Sequence, residues 1–112
     1  MTEFGRMLRI IRINKGETAK DMAHKLNISP SYLSAMENGK RNIPLYIGDS
    51  ISDIYGISDE DKQNIKFAII NTNESIKLDM SGIADKKKEI VVLLMSKDVN
   101  EDTLDKIYGL LN

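Results

Sequence analysis

Ser31, Ser34, Ala35 and Asn38 are spaced three, one and three residues apart, so a helix turning about a hundred degrees per residue presents them on one face. Two hydroxyls and an amide can donate and accept hydrogen bonds, and Ala35 adds little bulk. That chemistry suits reading the edges of another molecule rather than breaking its bonds. Leu33, Met36 and Glu37 take the opposite face. A carboxylate beside two core positions is costly to desolvate unless a cation meets it, and Arg12, on the inward edge of the first helical pattern, is the expected partner.

The elements around this face leave it little freedom. Residues 3–14 read as a helix with Phe4, Leu8 and Ile11 inward and Arg6, Arg9 and Arg12 interleaved, stopped by Lys15-Gly16. Thr18 can cap a second helix over 19–26, with Met22, Ala23 and Leu26 inward. Asn27 stands where that helix must end, and Asn is the commonest substitute for Gly in left-handed backbone. Ser29 and Pro30 read as the cap and first position of a third helix, which runs to Asn38 and is closed by Gly39. A small polar face on a helix so tightly braced suits the DNA major groove, which admits an α-helix. Tyr32, at the flank, can equally pack on its neighbours or touch DNA.

Beyond Pro44 a fourth helix is expected over 45–55 with Ile47, Ile51 and Ile54 inward. A fifth, capped by Ser58, buries Ile65 with Ile69 or Phe67. SIKLDM alternates strictly and predicts one β-strand near 75–80, before helices over 84–97 and 101–111. The last carries Leu104, Ile107, Tyr108 and Leu111 on one stripe. A lone strand leaves a row of backbone groups unpaired, so its expected partner is the same segment of a second copy. In that antiparallel ribbon, centred on Leu78, Lys77 faces Asp79 and Ile76 faces Met80.

The expected fold is therefore mainly α: a five-helix domain over residues 1–72, then a short strand and two helices over 73–112 forming a dimerisation or partner module. At 112 residues and 41% hydrophobic, the chain can bury one modest core. The absence of cysteine excludes disulfides and thiolate metal sites. No signal-peptide pattern and no apolar run near the roughly 18 residues of a membrane span occur, so a cytoplasmic protein without membrane contact is expected. Net charge is −1, but residues 1–44 hold eight Lys/Arg against four Asp/Glu and the remainder eight against thirteen. A basic half that meets a polyanion is the expected meaning. No phosphate loop, nucleophile elbow, metal-spaced His/Cys set or dinucleotide fingerprint occurs, so neither an enzyme nor a cofactor is expected. His24 and the run Lys86, Lys87, Lys88 read as solvated.

Leu8 to Pro44, LRIIRINKGETAKDMAHKLNISPSYLSAMENGKRNIP, resembles the DNA-binding domain of the phage repressor and Cro-like (XRE) family of helix-turn-helix regulators. Arg12, Ala23, Ile28, Ser29, Leu33, Ser34, Glu37, Gly39, Lys40 and Arg41 all fall on family positions. The resemblance implies a recognition helix over 29–38, with Ser29, Pro30, Ser31, Tyr32, Ser34 and Ala35 at or near bases. It places Thr18, Asn38, Lys40 and Arg41 toward the DNA, the last three at phosphates, and Arg12–Glu37 as a buried ion pair. The chain departs from the family at Ala19, where a phosphate-reaching Gln is usual, and at Glu17, where an apolar residue is usual, which puts negative charge near the DNA. The whole chain more loosely resembles a subgroup common in phages and mobile elements. These likenesses imply a homodimeric repressor acting on a palindromic operator in double-stranded DNA. The alternative is an antitoxin-like protein whose C-terminal half binds a toxin or mobile-element protein while its N-terminal half autoregulates the operon.

Overall fold

Side-chain oxygens decide where most helices of this chain begin. In the computed structural model, which describes residues 1–112, Thr2, Thr18, Ser29, Ser58 and Asn100 each accept a hydrogen bond from the backbone N–H three residues on. They open α1 (Glu3–Lys15), α2 (Ala19–Lys25), α3 (Pro30–Glu37), α5 (Asp59–Thr72) and α7 (Glu101–Leu111), whereas α4 (Leu45–Tyr55) and α6 (Asp85–Ser96) start after Pro44 and Ala84 without such a cap. None of these helices is long and apolar enough to cross a membrane. The chain divides into two compact units, Met1–Lys77 and Leu78–Asn112.

In the first unit α1 packs on α2, α3 and α5, and α4 packs on α5. Phe4, Leu8, Met22, Leu33, Met36, Ile47, Ile51, Ile65 and Ile69 are fully buried between them. Asn27 takes the left-handed conformation at φ 59°, and the following Ile28 N–H reaches back to Ala23 O at 3.0 Å, which fixes the turn into α3. At the other end of α3, Gly39 at φ 73° lets Lys40 N–H close on Ala35 O at 2.9 Å. The loop that follows is tied down by Asn73: its Oδ1 accepts from Ile43 N–H and its Nδ2 donates to Ile43 O, both at 2.7 Å. Asn42 Nδ2 also donates to Ser75 Oγ at 2.8 Å.

The protein is all-helical, which corrects the expected strand. Ile76, Lys77, Leu78, Asp79 and Met80 adopt no regular structure and no ladder forms, so there is no strand from which the expected ribbon could extend. Alternation of apolar and polar residues favours a strand only where another strand satisfies its backbone, and this chain offers none. Asp79 instead accepts from the N–H and the hydroxyl of Ser81, and Ile83 N–H bonds Met80 O at 3.2 Å, so the segment turns.

Two inward assignments also change. Ile54 is 42% exposed, and Tyr55 enters the core in its place. Phe67 is 37% exposed, while Ile65, Ala68 and Ile69 carry the buried face of α5. In the second unit, α6 and α7 bury no residue at all.

Close approach of α1 to the end of α3 depends on Gly5, because a Cβ there would stand 2.4 Å from Glu37 O and 3.0 Å from Glu37 Cβ. Gly5→Ala is expected to lower stability by about 1–3 kcal/mol through overpacking. The midpoint of urea unfolding, compared with Gly48→Ala where the nearest neighbour is the flexible end of Ile69 at 3.3 Å, measures it. Equal midpoints for Gly5→Ala and the parent would mean that the two helices can separate without cost.

Candidate nucleic-acid interface

Three separate elements converge on Glu37. Its carboxylate takes both arms of the Arg12 guanidinium, Nη1 to Oε2 and Nη2 to Oε1, each at 2.9 Å. The two side chains are only 11% and 7% exposed, and Arg12 Nη1 also lies 3.4 Å from Met22 Sδ. Its backbone carbonyl accepts from Thr2 Oγ1 at 2.7 Å and from Thr2 N–H at 3.3 Å. Bidentate geometry fixes orientation as well as charge, so α1 and α2 both set the rotation of α3.

With that rotation set, Ser31, Ser34 and Asn38 are exposed and Ala35 is half-buried. Pro30, Ser31, Ser34, Ala35, Asn38 and Lys40 line one shallow concavity. Asn38 Nδ2 donates to Ser34 O at 3.0 Å, steadying the last turn of α3. Ser29 spends its oxygen on the cap, yet remains exposed. Thr18 lies on the exposed start of α2 in a capping box, accepting from Asp21 N–H at 3.1 Å while its own N–H donates to Asp21 Oδ2 at 2.9 Å. These bonds hold the Asp21 carboxyl below the usual carboxylate range.

Tyr32 is half-buried against the core, and the Arg41 guanidinium stands 5.3 Å from its ring centroid. The ring therefore both packs and steadies a cation just past the end of α3. Lys40 and Arg41 are exposed and form no ion pair, unlike Arg6 with Glu3 or Lys62 and Lys66 with Asp49. They are free to meet phosphate. His24 is exposed.

Glu17 behaves differently from the expectation that its charge lies open toward DNA. Its carboxylate accepts from Lys25 Nζ and, at 2.8 Å, from the Tyr55 hydroxyl, while Lys25 Nζ lies 5.3 Å from the Tyr55 ring centroid. The Lys25 bond, then the Tyr55 bond, hold its carboxyl below the usual range. Burial, then Glu17, push the Tyr55 hydroxyl up. The negative charge is thus spent on joining the α1–α2 loop to α4. The signal in the sequence was Tyr55 itself, four residues after inward Ile51, because a buried tyrosine needs a partner for its hydroxyl.

A family model described as helix-turn-helix matches residues 8–62. Residues 8–62 are a helix-turn-helix domain of the XRE, Cro-like family. No curated protein and no solved structure matches the chain. Members of this family are DNA-binding regulators rather than enzymes, so the protein is a DNA-binding transcription regulator and α2–turn–α3 is its helix-turn-helix.

Removing one partner of the buried pair leaves the other charge uncompensated, a loss of about 3–5 kcal/mol. Thermal melts of Glu37→Ala and of Arg12→Met should both fall, and the double variant should lose less than the two losses added. Strict additivity would separate the two residues energetically.

The acid side gives a second test. Glu17 has a folded-state pKa below its ordinary 4.5, so its stabilisation is complete above that value and is lost as pH falls through the lowered one. Glu17→Gln should therefore flatten the decline of Tm below about pH 4.5 without abolishing it, since Asp21 and Asp49 are lowered too. A parallel decline in both proteins would show that the Lys25 and Tyr55 contacts do not favour the ionised form.

Proposed function

We propose that the protein is a repressor that binds, as a homodimer, a two-fold symmetric operator in double-stranded DNA. The observation that carries this is the exposed face of α3 held in fixed rotation by Arg12–Glu37, with two unpaired cations directly after it. In this reading α3 enters the major groove, with Ser29, Pro30, Ser31, Ser34 and Ala35 toward base edges. Thr18, Asn38, Lys40 and Arg41 meet the backbone, and Tyr32 acts by holding Arg41 in place. Two such helices from two copies account for a palindromic site.

The exposed apolar residues of α6 and α7 support a second reading. There the C-terminal unit of an antitoxin-like protein covers a partner, a toxin or mobile-element protein, and the helix-turn-helix domain represses the shared operon. Selection of bound sequences from random duplex DNA, together with copurification of a neighbouring gene product, separates the two. A two-fold consensus with no copurifying protein supports the first reading; a stoichiometric partner supports the second.

Phosphate contacts act through counterion release and carry no base preference. Lys40→Ala/Arg41→Ala should weaken binding to cognate and scrambled duplexes alike and lower the salt slope by about 2. Ser31→Ala should instead change the ratio between the two duplexes. Mobility shifts at two salt concentrations read both effects, and parental affinity in the double variant would remove the loop after α3 from the DNA face.

A further inference from the structure

Residues Ile90–Met95 are six consecutive apolar residues, so they cover every direction around the second half of α6. A helix apolar all round is stable in water only with neighbours on several sides. Here it has none: no residue of α6 is buried, Met95 is 83% exposed, and α7 does not pack along it. α7 adds Leu104, Tyr108 and Leu111 on its own exposed stripe, with Leu110 beside them at 85% exposure. At about 200 Å² for a fully exposed large side chain, the apolar residues of these two helices leave on the order of 1,000 Å² uncovered, against about 800 Å² per partner in a standard interface.

The charges say which partner fits. Lys86, Lys87 and Lys88 lie in the first two turns of α6, where a helix favours negative charge, and Glu101, Asp102 and Asp105 lie at the start of α7. All five ion pairs of the protein are in the other unit, so both clusters are unpaired. The acidic cluster follows the far end of α6. A second copy of α6 laid antiparallel therefore brings each basic turn to the other copy's carbonyl end and the acidic turn just beyond it.

We propose that α6 and α7 form an antiparallel four-helix interface with the same two helices of a second copy. Ile90–Met95 lie at its centre, and Lys86–Lys88 of each copy meet the Glu101–Asp105 turn of the other. This rests on the homodimeric reading above and replaces the ribbon with helix packing as the means of joining.

Charge reversal in the full-length chain tests it by sedimentation, which reads assembly whether or not DNA is bound. Lys86→Glu/Lys87→Glu/Lys88→Glu and Glu101→Lys/Asp102→Lys/Asp105→Lys should each weaken the dimer by about tenfold or more. An equimolar mixture of the two should recover a one-to-one dimer, because each acidic turn then faces a basic one at both ends. Val92→Glu/Leu93→Glu should be monomeric at about 100 µM with unchanged helix content by circular dichroism. A parent chain that is monomeric at that concentration overturns the proposal and assigns the face to a foreign protein. Charge variants as dimeric as the parent, or a mixture no tighter than its components, overturn it as well. If instead the interface is found but selection yields no DNA consensus, the interface stands and the repressor reading falls.

Discussion

The orientation of α3 depends on one buried carboxylate. Glu37 is engaged at three levels: its carboxylate by Arg12 of α1, its carbonyl by the residue that caps α1, and its Cβ by the missing side chain of Gly5. An apolar residue there would fill space but would not define an angle about the helix axis. The bidentate guanidinium does, because its two donors must meet two fixed oxygens. A recognition face made of small side chains has short reach, so its contacts depend on where the helix axis and its rotation are held.

Much of this was legible in the amino-acid order because local chemistry and burial agree. Ser29-Pro30, Asn27 and Gly39 mark the boundaries of α3 through backbone requirements that hold in any surroundings, and the helical wheel puts Glu37 inward beside Leu33 and Met36. Arg12 followed from the need to compensate a charge. Where the reading failed, the deciding partner lay far along the chain. Ile54 and Tyr55 differ by a hundred degrees on α4, and the choice between them is made by Glu17, 38 residues away. Thr2 capping α1 while bonding Glu37 went unnoticed for the same reason. The strand was misread because alternation reports which face is apolar, whereas a ladder requires a second strand that this chain lacks.

The acidic residues of the first unit are mostly occupied. Asp21 closes a cap, Asp49 holds Lys62 and Lys66, Glu3 holds Arg6, and Glu17 is enclosed by Lys25 and Tyr55. Local pairing leaves Lys40 and Arg41 as uncompensated charge beside the recognition face, which explains how a chain of net charge −1 can present a positive surface to a polyanion.

Asn73 stands in for a strand: its amide gives Ile43 one acceptor and one donor, as a neighbouring backbone would. That arrangement depends on the nitrogen of a single side chain. Hydrolysis of this amide to the acid, a one-atom change that accumulates with age and heat in asparagine-bearing proteins, would set a carboxylate oxygen against the carbonyl of Ile43. Core packing would survive, but the loop leading from Lys40 and Arg41 into α4 would lose one of its tethers. The useful life of the DNA-facing loop is therefore limited by the chemistry of one amide as well as by the folding equilibrium of the domain.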